Sequence, residues 1–77
     1  MDPSSVRQSI VTYFHDMGKM PGDDTDLFEA NIIDSMGLIE LVTFLDKEFR
    51  VEIGQDAMKL ENFRTIHDIV KTISRIS

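Results

Sequence analysis

The residues best placed to do chemistry are Asp34-Ser35-Met36, which stand directly before an apolar pattern of helical period. Ser35 lies in the most acidic part of the sequence, because no lysine or arginine occurs from Met20 to Asp46. The acidic residues of that span are Asp23, Asp24, Asp26, Glu29, Asp34, Glu40 and Asp46. A serine in this setting is a poor hydrolase nucleophile, since no general base or oxyanion donor accompanies it. It suits the attachment of an anionic group, which the positive end of a helix dipole stabilises.

The composition limits the classes of function. At 77 residues the chain is predicted to form one small domain, residues 1–77. It has no cysteine, which excludes disulfides and thiolate metal sites. The formal charge of −6 argues against nucleic acid as a partner and favours basic protein surfaces. The sequence has neither a signal-peptide pattern nor an apolar run long enough to span a membrane, so we expect a monomeric cytoplasmic protein.

The elements that must position Ser35 begin with a first helix. Its start is predicted within the segment Met1-Asp2-Pro3-Ser4-Ser5, where Asp2 suits the cap and Pro3 the first helical position. Gly18 is predicted to end it. The residues expected on its buried face are Val6, Ile10, Phe14 and Met17.

A long loop is predicted from Gly18 to Ile33. Loops of this length are unusual in compact domains and are often functional. Leu27, Ile32 and Ile33 are expected to hold the loop against the core. Asn31 precedes the last two and tolerates a positive φ better than most residues.

The second helix is predicted from Ser35 to about Phe49. Its core stripe is formed by Leu38, Leu41, Val42, Leu45 and Phe49, which share one face at helical spacing. Met36, Glu40, Thr43 and Lys47 lie on the opposite face, with Ile39 on its flank.

The remainder of the chain predicts one short helix and a last long one. The short helix is expected near Asp56 to Leu60, and Phe63 is expected to anchor the loop after it. Thr65-Ile66-His67-Asp68 has the pattern of a capping box and opens the last helix. The fold class is therefore all-α: a bundle of three main helices and one short helix, with a long loop between the first two.

Three segments of this chain resemble the acyl carrier protein family, the domains that carry phosphopantetheine. The first is Ile32-Ile33-Asp34-Ser35-Met36-Gly37 with the following Leu38-Ile39-Glu40-Leu41, where the family has Asp-Ser-Leu and then an amphipathic helix with Glu-Leu. The second is Glu48-Phe49-Arg50-Val51-Glu52-Ile53, and the third is Glu61-Asn62-Phe63-Arg64-Thr65-Ile66. Asp-Ser-Leu alone is a weak motif, but the three segments in order span essentially the whole chain.

The resemblance implies a carrier and not a catalyst. Ser35 would receive 4′-phosphopantetheine from coenzyme A through the action of a phosphopantetheinyl transferase, with Asp34 beside it as a cap or transferase contact. The terminal thiol of the arm would hold acyl groups as thioesters for the enzymes of fatty-acid, polyketide or related biosynthesis. An acyl- or aminoacyl-loading ligase and downstream synthase enzymes would be its further partners.

The resemblance also implies surfaces for partners and for cargo. The outward side of the second helix would dock the transferase and loading enzymes through Met36, Ile39, Glu40 and Asp46. An apolar acyl chain would fold back between the second helix and the short helix, lined by Val42, Leu45, Ile53 and Met58.

Three departures from the family pattern bear on the pathway. Met36 replaces the usual leucine, an apolar swap of similar volume. Gly37 weakens the helix start by up to about 1 kcal/mol relative to alanine. Lys47 stands where fatty-acid carriers often have an acidic residue, which favours a carrier dedicated to another pathway at least as well.

Other interpretations remain open at this point. One is an aminoacyl or peptidyl carrier of the D-alanyl type. Another is an unmodified acidic interaction module in which Ser35 is only a helix cap, although a simple docking helix would not need the long loop. A hydrolase is the weakest, because no triad accompanies Ser35. Asp23, Asp24 and Asp26 lack calcium-loop spacing, and His15 and His67 share no metal spacing, so we predict no catalytic or metal-binding residue.

Overall fold

The computed structural model describes residues 2–76, so Met1, which the sequence analysis placed at the helix start, lies outside them. Three α-helices follow in order: α1 (Pro3–Asp16), α2 (Ser35–Phe49) and α3 (Ile66–Ile76). One 3₁₀ helix, Leu60–Asn62, precedes α3. Residues 2–76 contain no β-strand. The predicted all-α class, with three main helices and one short one, is confirmed.

Helix α1 begins and ends as its sequence predicts. The Asp2 carboxylate caps it by accepting the backbone N–H of Ser4 at 3.1 Å, and Pro3 takes the first helical position. Gly18 follows the helix with φ of +78°, a conformation that favours glycine. Val6, Ile10 and Phe14 are fully buried, but the prediction that Met17 joins them is wrong, because Met17 lies past the last helical residue and is 44% exposed.

The long loop is held to the core at its middle and at its end. Leu27 is fully buried and donates its backbone N–H to the carbonyl of Arg64 at 2.7 Å. The N–H groups of Ile32 and Ile33 in turn both bond the Leu27 carbonyl, at 2.9 and 3.1 Å. Asn31 adopts φ of 57° just before this pair. The loop therefore delivers the chain to the start of α2 in a defined direction.

Helix α2 has the predicted bounds. It begins after Asp34, and Arg50 ends it in the left-handed conformation with φ of 53°. Leu41, Val42 and Leu45 form its buried face.

The short helix is displaced from its predicted position. Residues 55–57 form only a turn, in which the N–H of Ala57 bonds the Gly54 carbonyl at 3.0 Å. The Asn62 side chain donates to the Ala57 carbonyl at 2.8 Å and closes this segment. Leu60 is 48% exposed, whereas Phe63 is fully buried, so the anchor of the segment lies after Leu60 and the 3₁₀ helix forms next to that anchor.

Helix α3 opens as the capping box predicts, with the Thr65 hydroxyl accepting the N–H of Asp68 at 3.1 Å. Its residues Ile66, Ile69 and Ile73 join the core that Phe63 and α1 share. Among the helices of residues 2–76, close backbone approach is confined to α1 with α3 and to α3 with the 3₁₀ helix. Helix α2 stands further off from α1 and meets it through large side chains.

Candidate functional site

Ser35 is the first residue of α2 and is exposed. The residue that caps the helix is Asp34, whose Oδ1 accepts the N–H of Gly37 at 2.7 Å while its carbonyl accepts the N–H of Leu38 at 2.8 Å. Within residues 2–76 the Ser35 hydroxyl has no hydrogen-bond partner. The serine is thus free of the capping role that the simplest interpretation assigned to it.

The helix start also offers donors for an anion. Asp34 occupies the N–H groups of Gly37 and Leu38, whereas helix geometry leaves the N–H groups of Ser35 and Met36 without an intrahelical acceptor. Those groups and the helix dipole favour negative charge at this point. The residues present therefore fit a phosphodiester on the Ser35 hydroxyl.

Gly37 allows Asp34 to approach the helix closely. A Cβ at position 37 would lie 3.3 Å from the Asp34 Oδ1 and 3.4 Å from the Ile33 Cβ, which is tighter than most side-chain contacts. The glycine that weakens helix propensity here thus makes room for the cap. Sequence reasoning missed this role, because the contact depends on the backbone path of Ile33 and Asp34.

Three of the four residues predicted to contact partners are open to solvent. Met36 is 67% exposed and Ile39 is 55% exposed, and Glu40 is exposed beside them. We call Met36, Ile39 and Glu40 the docking face. Asp46 differs, because it is half-buried and its carboxylate accepts the N–H of Ile53 at 3.4 Å. It ties α2 to the following loop.

The four residues predicted to line an acyl pocket differ in their exposure. Val42, Leu45 and Ile53 are buried in the core, with at most 8% of each exposed. Met58 lies at the surface and is 36% exposed. Its N–H bonds the Gly54 carbonyl at 3.2 Å.

Open space is found between α2 and α1. A cleft of about 540 Å³ runs between α1 and α2, and we call it the α1–α2 cleft. Its lining residues are Gln8, Ser9, Thr12, Tyr13, Asp16, Met17, Glu40, Phe44 and Glu48. A second hollow of about 440 Å³, which we call the entrance hollow, shares Met17 and Glu40 with the cleft and reaches Asp34, Met36 and Gly37 beside Ser35.

Sequence reasoning did not find this cleft. Its wall is formed where the ring of Tyr13 from α1 meets the ring of Phe44 from α2, with centroids 4.7 Å apart. Burial, and second the negative charge of Glu40, raise the pKa of the Tyr13 hydroxyl. The aromatic residues Tyr13 and Phe44 are the only sequence signal of the cleft, and pairing them requires the packing of the two helices.

Neither a metal centre nor a membrane span accompanies the site in the part of the chain that the structure describes. No three histidine, aspartate or glutamate side chains of residues 2–76 come together as metal ligands. None of the helices there combines the length and the apolar character needed to cross a bilayer.

Comparison with known proteins adds a family and named relatives. A family model described as the phosphopantetheine attachment site matches residues 6–73. The "Probable acyl carrier protein PigG" of Serratia sp. is 39% identical over 75 residues, which cover 95% of this chain and 85% of the relative. The D-alanyl carrier protein of Streptococcus uberis is 30% identical over 53 residues, 69% of this chain and 67% of the relative. The D-alanyl carrier protein of Streptococcus pyogenes is 25% identical over 77 residues, 94% of this chain and 95% of the relative.

Proposed function

The chain belongs to the phosphopantetheine attachment family, and we propose that Ser35 is the residue that bears its 4′-phosphopantetheine. As a member of this family it is an acyl carrier protein and not a catalyst, with phosphopantetheine as its cofactor. Family membership sets aside the alternative of an unmodified interaction module. When bound, the arm supplies a thiol that holds acyl groups as thioesters. The chain has no thiol of its own, because it contains no cysteine.

The observation that supports the proposal is that one residue caps α2 and a different residue presents a free hydroxyl there. Asp34 caps the helix through Gly37, so Ser35 presents an exposed hydroxyl that holds no other residue in place. The N–H groups of Ser35 and Met36 are free to face a phosphate.

The attachment step is a phosphoryl transfer carried out by a separate enzyme. The Ser35 oxygen forms a bond to the phosphorus of the pantetheine arm as the pyrophosphate bond of coenzyme A breaks. Adenosine bisphosphate leaves with the electron pair, and the hydroxyl proton passes to a base on the transferase. The chain contributes an accessible hydroxyl and a helix end that stabilises the new charge.

The absence of cysteine gives this proposal a direct test. The chain as expressed without a transferase has no thiol, so a thiol-reactive chromophore should report none. After incubation with coenzyme A, Mg²⁺ and a broad-specificity transferase, one thiol per chain should appear, and removal of free coenzyme A should not lower it. A chain that stays without thiol while a known carrier is converted in the same mixture would contradict the proposal.

We further propose that the docking face receives the transferase and the loading enzyme. The combination of two exposed apolar side chains with an adjacent carboxylate supports it, because charge steers the encounter while apolar burial slows dissociation. Asp46 contributes charge at the edge of this surface, while its bond to Ile53 fixes it to the fold.

A long apolar acyl chain is proposed to enter the bundle beside Val42, Leu45, Ile53 and Met58. These side chains are closely packed, so entry requires the loop after α2 to move outward. Met58, at the surface end of the group, marks the point of entry. Amide chemical shifts at these four residues should change between the phosphopantetheine form and its octanoyl thioester, and unchanged shifts would remove this pocket.

The cargo and the setting are likewise proposals. Two of the named relatives are D-alanyl carrier proteins, which supports an aminoacyl cargo as the alternative to a plain acyl group. We propose that residues 1–77 form a single monomeric carrier domain that works in the cytoplasm, where coenzyme A is supplied. Fatty-acid, polyketide and related biosynthesis are the pathways that would use it.

A further inference from the structure

The α1–α2 cleft combines an aromatic wall with an acidic rim. Tyr13 and Phe44 stand 4.7 Å apart with their planes tilted by 35° and supply apolar surface. Three exposed carboxylates, Asp16, Glu40 and Glu48, lie at its edge, and no lysine or arginine is among the lining residues.

These rim carboxylates are open to an incoming cation. The ion pairs found within residues 2–76 join Arg7 to Asp23 and Arg64 to Asp26, so they use other acids. Tyr13 and Glu40 line the same cleft, so the negative charge of Glu40 lies beside the aromatic wall, and after burial it is the second cause that raises the pKa of Tyr13. A ligand complementary to this cleft has a small apolar body and a positive charge.

The cleft lies next to the attachment site. The entrance hollow beside Ser35 shares Met17 and Glu40 with the α1–α2 cleft, so the two hollows adjoin at these side chains. From Ser35 to Glu40, which borders both hollows, the helix rises by about 7.5 Å and turns through about 140°. About thirteen bonds separate the phosphorus and the sulfur of a phosphopantetheine arm. If each bond adds the length that it adds in an extended polypeptide, the extended arm spans about 15 Å. The end of an arm on Ser35 thus reaches Glu40, and cargo held beyond the sulfur reaches into the α1–α2 cleft.

A group tethered in this way needs only weak recognition. Short flexible tethers give effective concentrations on the order of millimolar, so a cleft with little affinity for the free ligand still binds the tethered one. A partner protein arriving from solution has no such advantage in a cleft this shallow.

We propose that the α1–α2 cleft binds the thioester cargo when that cargo is an aminoacyl group, with its side chain against Tyr13 and Phe44 and its ammonium group facing Glu40. This inference rests on the attachment of the arm to Ser35. It names a class of cargo, an α-amino acid with a protonated amine, and a site for it outside the helical core.

The test compares two cargoes that differ in charge and little else. The transferase loads Ser35 with pantetheine arms bearing alanyl or isobutyryl through a stable amide, so that an ammonium in one is replaced by a methyl group in the other. Amide chemical shifts at Tyr13, Glu40 and Phe44 are compared with those of the chain bearing the bare arm. We expect larger changes for alanyl, since an exposed cation–π or ion-pair contact raises occupancy about two- to fivefold.

Variants assign the effect to the cleft. Glu40→Gln should bring the alanyl response down to the isobutyryl response, whereas Glu61→Gln, on the 3₁₀ helix and outside the cleft lining, should leave the difference intact. Equal responses to the two cargoes in the wild-type chain would overturn the inference. Changes at Val42, Leu45 and Ile53 instead would place the cargo in the core.

Two further outcomes separate the inference from its premise. Shifts at Tyr13 and Phe44 that grow with protein concentration before loading would mean that a second copy of the chain occupies the cleft, which also overturns it. If the intact mass does not rise on loading, the attachment to Ser35 itself is overturned. If the mass rises in full but the amide shifts at Tyr13, Glu40 and Phe44 do not change, only the assignment of the cleft is overturned.

Discussion

The Asp34 Oδ1 lies 2.7 Å from the backbone nitrogen of Gly37 and accepts its hydrogen bond, and a Cβ on Gly37 would lie only 3.3 Å from the same oxygen. An acceptor at position 34 and a bare backbone at position 37 therefore fix the start of α2 together. Ser35 lies between them with its hydroxyl uncommitted. Asp34 thus caps the helix, and the neighbouring serine is not needed for the cap.

Two substitutions of Asp34 distinguish its role as a helix cap from the effect of its negative charge. Asp34→Ala should lower the free energy of unfolding by about 0.5–2 kcal/mol, because the Gly37 N–H loses its acceptor, and should slow modification of Ser35. Asp34→Asn keeps an acceptor and should restore both, since asparagine caps as well as aspartate. Urea unfolding and modification time courses measure the two effects. If Asn slows modification as much as Ala while stability is normal, the charge of Asp34 acts on the transferase directly.

Met36→Ala tests the apolar part of the docking face. The side chain is 67% exposed, so stability should change by no more than about 0.5 kcal/mol, while loading slows through faster dissociation of the enzyme. Met20→Ala is the matched control, because Met20 is 82% exposed and lies in the long loop. Equal loading rates for both variants and the wild type would exclude Met36 from the interface.

The charges of α2 should act mainly on the rate of encounter. Glu40→Lys should slow loading most at low salt, where the screening length is about 30 Å, and less near 0.15 M, where it is about 8 Å. Lys47→Glu should speed loading by strongly basic enzymes, because it extends the acidic stripe. The measurement is the loading rate of the wild type and of both variants as a function of salt concentration. Coincident curves for wild type and both variants would mean that the enzymes dock elsewhere.

The raised pKa of Tyr13 predicts that the folded chain loses stability at alkaline pH. Burial and Glu40 raise its pKa in the folded chain above the ordinary value of about 10. The unfolded chain therefore ionises first, and the contribution of the neutral phenol to stability is lost as pH rises through the ordinary pKa towards the folded one. Because Tyr13 is the only tyrosine, ultraviolet absorbance of the phenolate follows it alone.

Two variants check the cause of this shift. Glu40→Gln should lower the pKa of Tyr13 only in part, since burial is the larger cause. Tyr13→Phe should remove the alkaline decline that this group causes. A wild-type phenol that titrates at its ordinary value would contradict the packing of Tyr13 against Phe44.

The sequence predicted best what depends on neighbours along the chain. The bounds of α2, the Asp2 cap of α1 and the Thr65 cap of α3 all follow from side chains within a few residues of each helix end. The segment around Ser35 that resembles the family likewise consists of neighbours along the chain.

The features that the sequence did not predict correctly depend on contacts between distant parts of the chain. Met17 follows the apolar spacing of α1 but lies in the turn after the helix, and the short helix forms next to buried Phe63. The α1–α2 cleft could not be predicted from the sequence, because it depends on how Tyr13 of α1 packs against Phe44 of α2.

The central claim is that the arm is attached to Ser35. The most direct measurement is the intact mass of three chains after incubation with coenzyme A and a transferase: wild type, Ser35→Ala and Ser5→Ala. Ser5 is a fair control, since it is also an exposed serine in the first turn of a helix that an aspartate caps. Wild type and Ser5→Ala should each gain one phosphopantetheine, and Ser35→Ala should gain none while its circular dichroism remains helical. A full mass increase in Ser35→Ala would contradict the account.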